Sequence, residues 1–354
     1  MFIFLIVLLC IAGILEYISL RSGTSSVDAS FVLSTQRAEP GLEVELITSV
    51  RNISWMPISY YSVQTSFPMS ADFPQGASVM REMHSKLLTD IYRLWPKQRI
   101  TRSIPFSIEK RGVHAVIGKK VQRGDFLGLQ MRGDYLVQRR ELLVYPRRLE
   151  NSALVEALGS YIGEISARRW LIRDPVIPIG VREYTGSEAR RTISWSQTAR
   201  RGELMVREFD YTRSMNCCVL FCVDGLHRDE TELLDLCCSA VRTICEELTA
   251  KGVDAQLYTN SALIGYNAET YRMCVAARGK MTDALDMLAR ATAECVCSAE
   301  QMAACLDMDS DNTAFLLVAP RADASTERAL ALLNRGGAVG TMMLTGDTLK
   351  GGAV

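Results

Sequence analysis

The residues of this 354-residue chain best equipped for nucleophilic or metal chemistry are eleven cysteines and three histidines. A closed zinc site needs four ligands, usually two closely spaced pairs. The histidines, His84, His114 and His227, are scattered, and no Cys-x-x-Cys occurs; Cys295-Val296-Cys297 is the nearest approach and has no matching pair. All the cysteines but Cys10 lie between Cys217 and Cys305, mostly inside apolar runs such as Asn216–Val223 and Leu233–Leu248. An odd number of thiols in such runs reads as small buried hydrophobes in a reducing compartment. The carboxylate to watch is Asp224, which closes the apolar run Cys217–Val223 and precedes Gly225. There it can hold a hard cation or cap the following helix. His227 beside it suggests a base–acid pair, but a loop histidine at a strand end is ordinarily solvated. No Gly-x-Ser-x-Gly is present, and Gly336-Gly337 and Gly351-Gly352 lack the Lys-Ser/Thr of a phosphate loop. With no complete nucleophile–base–oxyanion set, catalysis, a cofactor and a small-molecule substrate are not expected.

The elements that must position Asp224 read as an α/β domain over residues 216–346. Cys217–Val223 is a continuous apolar run, the pattern of a strand buried on both faces. Asp229 and Glu230 open a helix with apolar positions at Leu233, Cys237, Val241, Ile244 and Leu248, and Gly252 closes it. Val253–Tyr258 reads as a strand, Lys280–Glu294 as a helix, Thr313–Ala319 as a strand, Ser325–Asn334 as a helix and Ala338–Leu344 as a strand. Such alternation means a doubly wound, mostly parallel sheet, whose ligands sit at the C-terminal strand ends.

Residues 26–146 read as a β-sandwich-like domain. Leu42–Ile47 alternates with period two, and Ile58–Gln64, Arg99–Ile108, Gly112–Val121 and Glu141–Tyr145 are further strands between turn signals. Arg132-Gly133-Asp134 reads as a turn. Residues 147–215 connect the two domains, and 347–354 form a tail. Met1 to Leu20 holds Glu16 as its one charged residue; as a helix it is about 30 Å long, the thickness of a bilayer core. Residues 1–21 are therefore expected to be a transmembrane anchor. Arg21 and the free thiols put the soluble part in the cytoplasm. Net charge is zero, 40 basic against 40 acidic residues, and the basic stretch Trp95–Glu150 carries few aromatics, so nucleic acid is not an expected partner.

The connecting segment carries Arg182, Tyr184 and Gly186; then Arg190, Ile193 and Trp195; then Ala199-Arg200; then Val206-Arg207-Glu208. This order resembles the signature of the bacterial "domain of unknown function 58" family, whose pattern runs Arg-x-Tyr-x-x-Gly-Asp, Arg-x-Ile-x-Trp, Ala-Arg, Leu-x-Val-Arg-Glu. Ser187 stands where that family has Asp, and Ser196 where Lys is usual. The resemblance implies a membrane-anchored protein of the bacterial cytoplasmic membrane with a von Willebrand factor A-like domain. It also implies work as a non-enzymatic scaffold or adaptor with a MoxR-type AAA+ ATPase. A-like domains that bind Mg²⁺ use Asp-x-Ser-x-Ser; here the positions are Asp224, Leu226 and Arg228, so a degenerate metal-dependent binding module is the alternative, with no metal expected and Arg228 in the ion's place. Within the signature, Trp195 is expected as the buried anchor of an interdomain latch, the alternative being a recognition surface for a protein partner. If the thiols face the cytoplasm, an impermeant maleimide leaves them unlabelled in intact cells; strong labelling, or disulfide isomers on a non-reducing gel, contradicts that placement.

Overall fold

The computed structural model describes residues 26–125, 130–170, 178–186, 190, 193–209, 216–265, 274–276, 281–306, 313–335 and 340–351, with isolated positions between 4 and 17. The predicted anchor, residues 1–21, lies almost wholly outside them; among the described residues no helix is long and apolar enough to cross a membrane. The chain divides into two compact units, Met1–Arg147 with Leu285–Ala291, and Arg148–Ala284 with Thr292–Val354.

The first unit is a β-sandwich. Its strands are β1 Val27–Leu33, β2 Arg37–Ala38, β3 Glu43–Asn52, β4 Ile58–Pro68, β5 Ala71–Asp72, β6 Val79–Arg81, β7 Ser85–Leu94, β8 Arg99–Ile108, β9 Gly112–Gly124, β10 Met131–Tyr135 and β11 Arg139–Val144. One sheet runs β1-β3-β8-β5; the other runs β2-β11-β9-β4-β7-β6, with β10 on β9. The period-two pattern on β3 does what it predicts: Val44, Leu46 and Val50 are buried while Glu43 and Glu45 are exposed. Val44 and Leu46 meet Phe67, Leu88, Val116 and Leu142 of the opposite sheet, and Val50 joins Tyr61, Val63 and Tyr92. Phe67 packs edge-on against Phe73 and Phe106, with ring centroids 4.9 and 5.0 Å apart, the arrangement aromatic quadrupoles favour. Strand β7 has no signal of this kind, because Lys86, Leu87 and Leu88 are buried in succession. Arg132-Gly133-Asp134 is not a turn but part of the exposed strand β10, antiparallel to β9.

The second unit holds β12 Pro178–Glu183, β13 Met205–Phe209, β14 Asn216–Phe221, β15 Asp254–Thr259, β16 Ser261–Leu263, β17 Cys274–Ala276, β18 Ala291–Cys295, β19 Thr313–Ala319 and β20 Gly340–Thr345. Its helices are α1 Ser152–Trp170, α2 Trp195–Arg201, α3 Thr231–Ala250, α5 Ala299–Ala304, α6 Ala324–Arg335 and α7 Gly346–Gly351, while α4 Met281–Arg290 is divided, its residues from Leu285 onward belonging to the first unit. The main sheet runs β17-β15-β14-β19-β20, parallel except for β17. On one face Cys218, Leu220 and Cys222 pack with Met302, Ala329 and Leu333 of α5 and α6. The buried residues of α3 are absent from that cluster, and α3 packs against β14 and β15 from the other face. The predicted helix over 280–294 stops at Arg290, and β18 follows. There the Thr292 backbone and hydroxyl exchange hydrogen bonds with Ser261 and Ala262, a local arrangement that outbids helical propensity.

Helix α1 occupies a stretch expected to be a connection. Asn151 caps it, its Oδ1 accepting from the Leu154 N–H at 3.1 Å. Leu154, Leu158, Tyr161 and Ile165, spaced by three or four, form its buried stripe. The Tyr161 hydroxyl donates to the carbonyls of Phe315 on β19 and Gly340 on β20, at 2.8 and 3.1 Å. Tyr161→Phe is therefore expected to cost about 0.5–1.5 kcal/mol, and Tyr161→Ala about 3–5 kcal/mol through the cavity it opens. Thermal denaturation of the purified chain measures both; equal melting of all three proteins refutes the assignment.

Candidate functional site

Two places hold the chemistry singled out by the sequence: the C-terminal edge of the parallel sheet and the signature segment.

At the sheet edge, Asp224 follows β14 by two buried residues, and Gly225, at φ +71°, turns the chain as only glycine does comfortably. Asn260 follows β15 directly and is fully buried. Its Oδ1 accepts from the Val223 N–H at 2.9 Å, and its Nδ2 donates to the Cys297 carbonyl at 2.9 Å, so backbone partners on both sides fix the orientation of the amide. That orientation directs Nδ2 at Asp224, which accepts from it on Oδ2. Oδ1 of Asp224 accepts from the Ala299 N–H at 3.2 Å and the Ser325 hydroxyl at 3.3 Å, at the starts of α5 and α6. Asp323 and Thr326 exchange reciprocal bonds beside it, and Ser298 and Gln301 form a capping box on α5. The carboxylate thus faces donors, whereas a cation site gathers oxygen acceptors. Among the described residues no group of three or more His, Cys, Asp or Glu is placed to hold a metal.

Arg228 does not stand in for an ion at Asp224: its exposed guanidinium pairs with Glu294. Arg321 pairs with Glu230 and reaches the Gly225 carbonyl at 3.3 Å. The Glu230 carboxyl is held below its usual range, first by the His227 N–H and then by Arg321. Burial pushes Cys295 up to about 11, with Asp224 adding to it, and raises Cys222 well above the ordinary thiol value. Cys217, Cys218, Cys222, Cys237, Cys238 and Cys245 are buried, as small hydrophobes are, while Cys295 and Cys305 are exposed. Asn260 and Ser325 were not singled out by the sequence. The one signal for Asn260 is a polar residue set directly after an apolar strand.

The signature segment forms a small unit of its own. β12 and β13 pair antiparallel, bringing Arg182 opposite Val206, and Ile193 bridges to Val206. Between them α2 starts at Trp195, follows Ser194 and ends at Gly202 in the left-handed region. Thr198 Oγ1 accepts from the Met205 N–H at 3.0 Å, tying the helix to β13. Ile193, Ser194, Met205 and Val206 are buried, and Tyr184 is half-buried. Trp195, expected as a buried anchor, is instead 66% exposed. Its position at the first turn of a helix with no buried residue turns the indole outward. Gly186, Arg190, Ala199, Arg200, Arg201 and Arg207 are exposed, and Arg190, Arg200, Arg201 and Arg207 have no carboxylate partner among the described residues. Ser187 lies outside the described residues, as does the side chain of Glu208 on β13. Four of the arginines expected to serve a latch, Arg190, Arg200, Arg201 and Arg207, are therefore exposed.

No family model matches the chain. It is 23% identical over 248 residues to the uncharacterized protein YeaD of Bacillus subtilis (strain 168), covering 70% of this chain. The chain spans 58% of that relative's length. Among solved structures, a cohesin module from a family 33 glycoside hydrolase of Clostridium perfringens covers 34% of this chain and 96% of its own, at 7% identity and a TM-score of 0.27. A type II cohesin domain from the cellulosome of Acetivibrio cellulolyticus covers 33% and 95%, at 11% identity and a TM-score of 0.25. These structural likenesses carry no functional argument.

Asp224→Ala removes the acceptor for three donors, and leaving buried donors unmet is expected to cost about 1–3 kcal/mol of stability. Calorimetric titration of the wild-type chain with Mg²⁺ is expected to show no saturable heat. A micromolar site abolished by Asp224→Ala refutes the structural assignment.

Proposed function

We propose that this chain is a non-enzymatic, membrane-anchored scaffold that docks a protein partner through the segment Val181–Phe209. The observation that carries the reading is the exposed indole of Trp195 on a segment whose apolar residues Ile193, Met205 and Val206 are buried. An exposed tryptophan on the same short segment as the exposed guanidiniums of Arg200, Arg201 and Arg207 has the composition of an interface hot spot. Exposed guanidiniums suit an acidic partner surface. The resemblance of the signature residues to the "domain of unknown function 58" family supports a MoxR-type AAA+ ATPase as that partner, and assembly or maturation of protein complexes as the process. The apolar segment at residues 1–21 supports anchoring in the bacterial cytoplasmic membrane, with the folded units in the cytoplasm. The alternative, a metal-dependent binding module built on a von Willebrand factor A-like domain, is disfavoured by the donors that surround Asp224.

The test compares Trp195→Ala, Arg200→Ala and Arg207→Ala with wild type in detergent-solubilised membranes. Each is expected to weaken partner recovery by about 1–2 kcal/mol or more of binding free energy, while melting shifts by no more than about 0.5 kcal/mol, as for exposed sites. Unchanged recovery with a lowered melting temperature overturns the docking surface and restores an internal latch.

A further inference from the structure

The first residue of β1 fixes which end of the sandwich the N-terminal segment leaves from. Val27 lies opposite Asn52, the last residue of β3, and the Ile53 N–H donates to the Ser26 carbonyl at 2.8 Å. The chain therefore enters the sandwich beside the β3–β4 loop. The β7–β8 turn lies at that same end, because Asn52 holds both. Its Nδ2 donates to the Met56 carbonyl at 2.8 Å and the Trp95 carbonyl at 3.0 Å, and its Oδ1 accepts from the Ser54 N–H at 2.9 Å and hydroxyl at 2.7 Å.

These two fixed loops present two of the chain's four tryptophans to solvent, Trp55 81% exposed and Trp95 72% exposed, with Ile53 exposed beside them. Single exposed apolar residues are common and mean little. Two indoles on separate loops, clamped by one fully buried asparagine, are a built feature. The charge around them is also one-sided. Lys97 sits over the Trp55 ring, 5.2 Å from its centroid, and its ammonium donates to the Ile53 carbonyl. Arg51 and Arg99 are directly opposed in the β3–β8 register, both exposed, as is Arg93. Asp28, across from Arg51, is the acidic residue in register with them.

We infer that this end of the sandwich is a membrane-docking face, with Trp55 and Trp95 in the headgroup layer of an anionic bilayer and Arg51, Arg93, Lys97 and Arg99 against its phosphates. The inference rests on the proposed anchoring by residues 1–21. Indoles settle at the interface because one side of the ring system is apolar and the N–H seeks a wet partner. Clustered lysine and arginine add attraction to anionic lipid. The geometry leaves the sandwich close by: Arg21 to Ser25 are five residues, which reach at most about 18 Å when fully extended. The headgroup layer is about 5–8 Å thick on each side. An anchored chain thus holds this end, and not the opposite one, within reach of the lipid surface.

The experiment uses the full chain reconstituted into phosphatidylethanolamine–phosphatidylglycerol vesicles, with and without acyl chains brominated near the headgroup. Wild type is compared with the Trp55→Ala/Trp95→Ala double variant, in which both changes are at exposed positions. Flotation of the protein with the vesicles reports the anchor, and tryptophan emission reports the loops. The expected result is that both proteins float, that wild-type emission is quenched by the brominated lipid and blue-shifted, and that this quenched component is lost in the double variant. Equal quenching of the two proteins, or none in protein that floats, overturns the docking face and leaves the anchor standing. Emission blind to bromine yet shielded from aqueous iodide means that a protein surface covers the loops, and also overturns it. Protein that fails to float overturns the anchor and the docking face with it.

Discussion

Strand β14 lies between β15 and β19 in a parallel sheet whose two faces are both covered by helices, and Val219, Leu220 and Phe221 are out of reach of water. A strand so placed must be apolar throughout and must then end among partners for its polar groups, because unpaired buried groups cost more than hydrogen bonds return. The hydrogen bonds of Asp224 and Asn260 meet that requirement. They satisfy the backbone after β14 and β15, and through Ala299 and Ser325 they fix where α5 and α6 begin. The same polar residues that make the edge look like a ligand site are consumed in closing it.

The sandwich solves a similar problem with the same residue type. Asn52, fully buried, uses both ends of its amide on backbone and serine partners from two loops. Asn260 does so at the sheet edge. In both places one buried amide holds loops that would otherwise be mobile by default. What differs is what the loops then present. At the sheet edge the held groups turn inward onto one another. At the end of the sandwich they turn two indoles and a set of cations outward.

The exposed aromatic residues thus separate from the closed polar network. Trp195 lies on a helix too short to bury a face of its own, held by Thr198 and the β12–β13 ribbon, with arginines beside it in solvent. The exposed indoles and guanidiniums lie at surfaces away from that network. That agrees with buried thiols whose ionisation is pushed up and with a central carboxylate already provided with donors.

The sequence by itself determined the elements whose burial is uniform along their length. The apolar runs of β14 and β19, the spacing of Leu233, Cys237, Val241, Ile244 and Leu248 on α3, and the alternation on β3 are properties of consecutive residues, and each strand or helix follows from them. It also singled out Asp224, since an acid directly after a buried strand has few other reasons to be there. Tertiary structure decided the rest. Strand β7 breaks the alternation because Lys86 is buried between sheets and bonded to Asp72 and the Ala71 carbonyl, contacts that span fourteen or fifteen residues of sequence. The partners of Asp224 come from 36, 75 and 101 residues away, a distance no local pattern encodes. The exposure of Trp195 was likewise invisible, because whether a large apolar residue is an anchor or a surface depends on what packs over it, and that is settled only when the chain has folded.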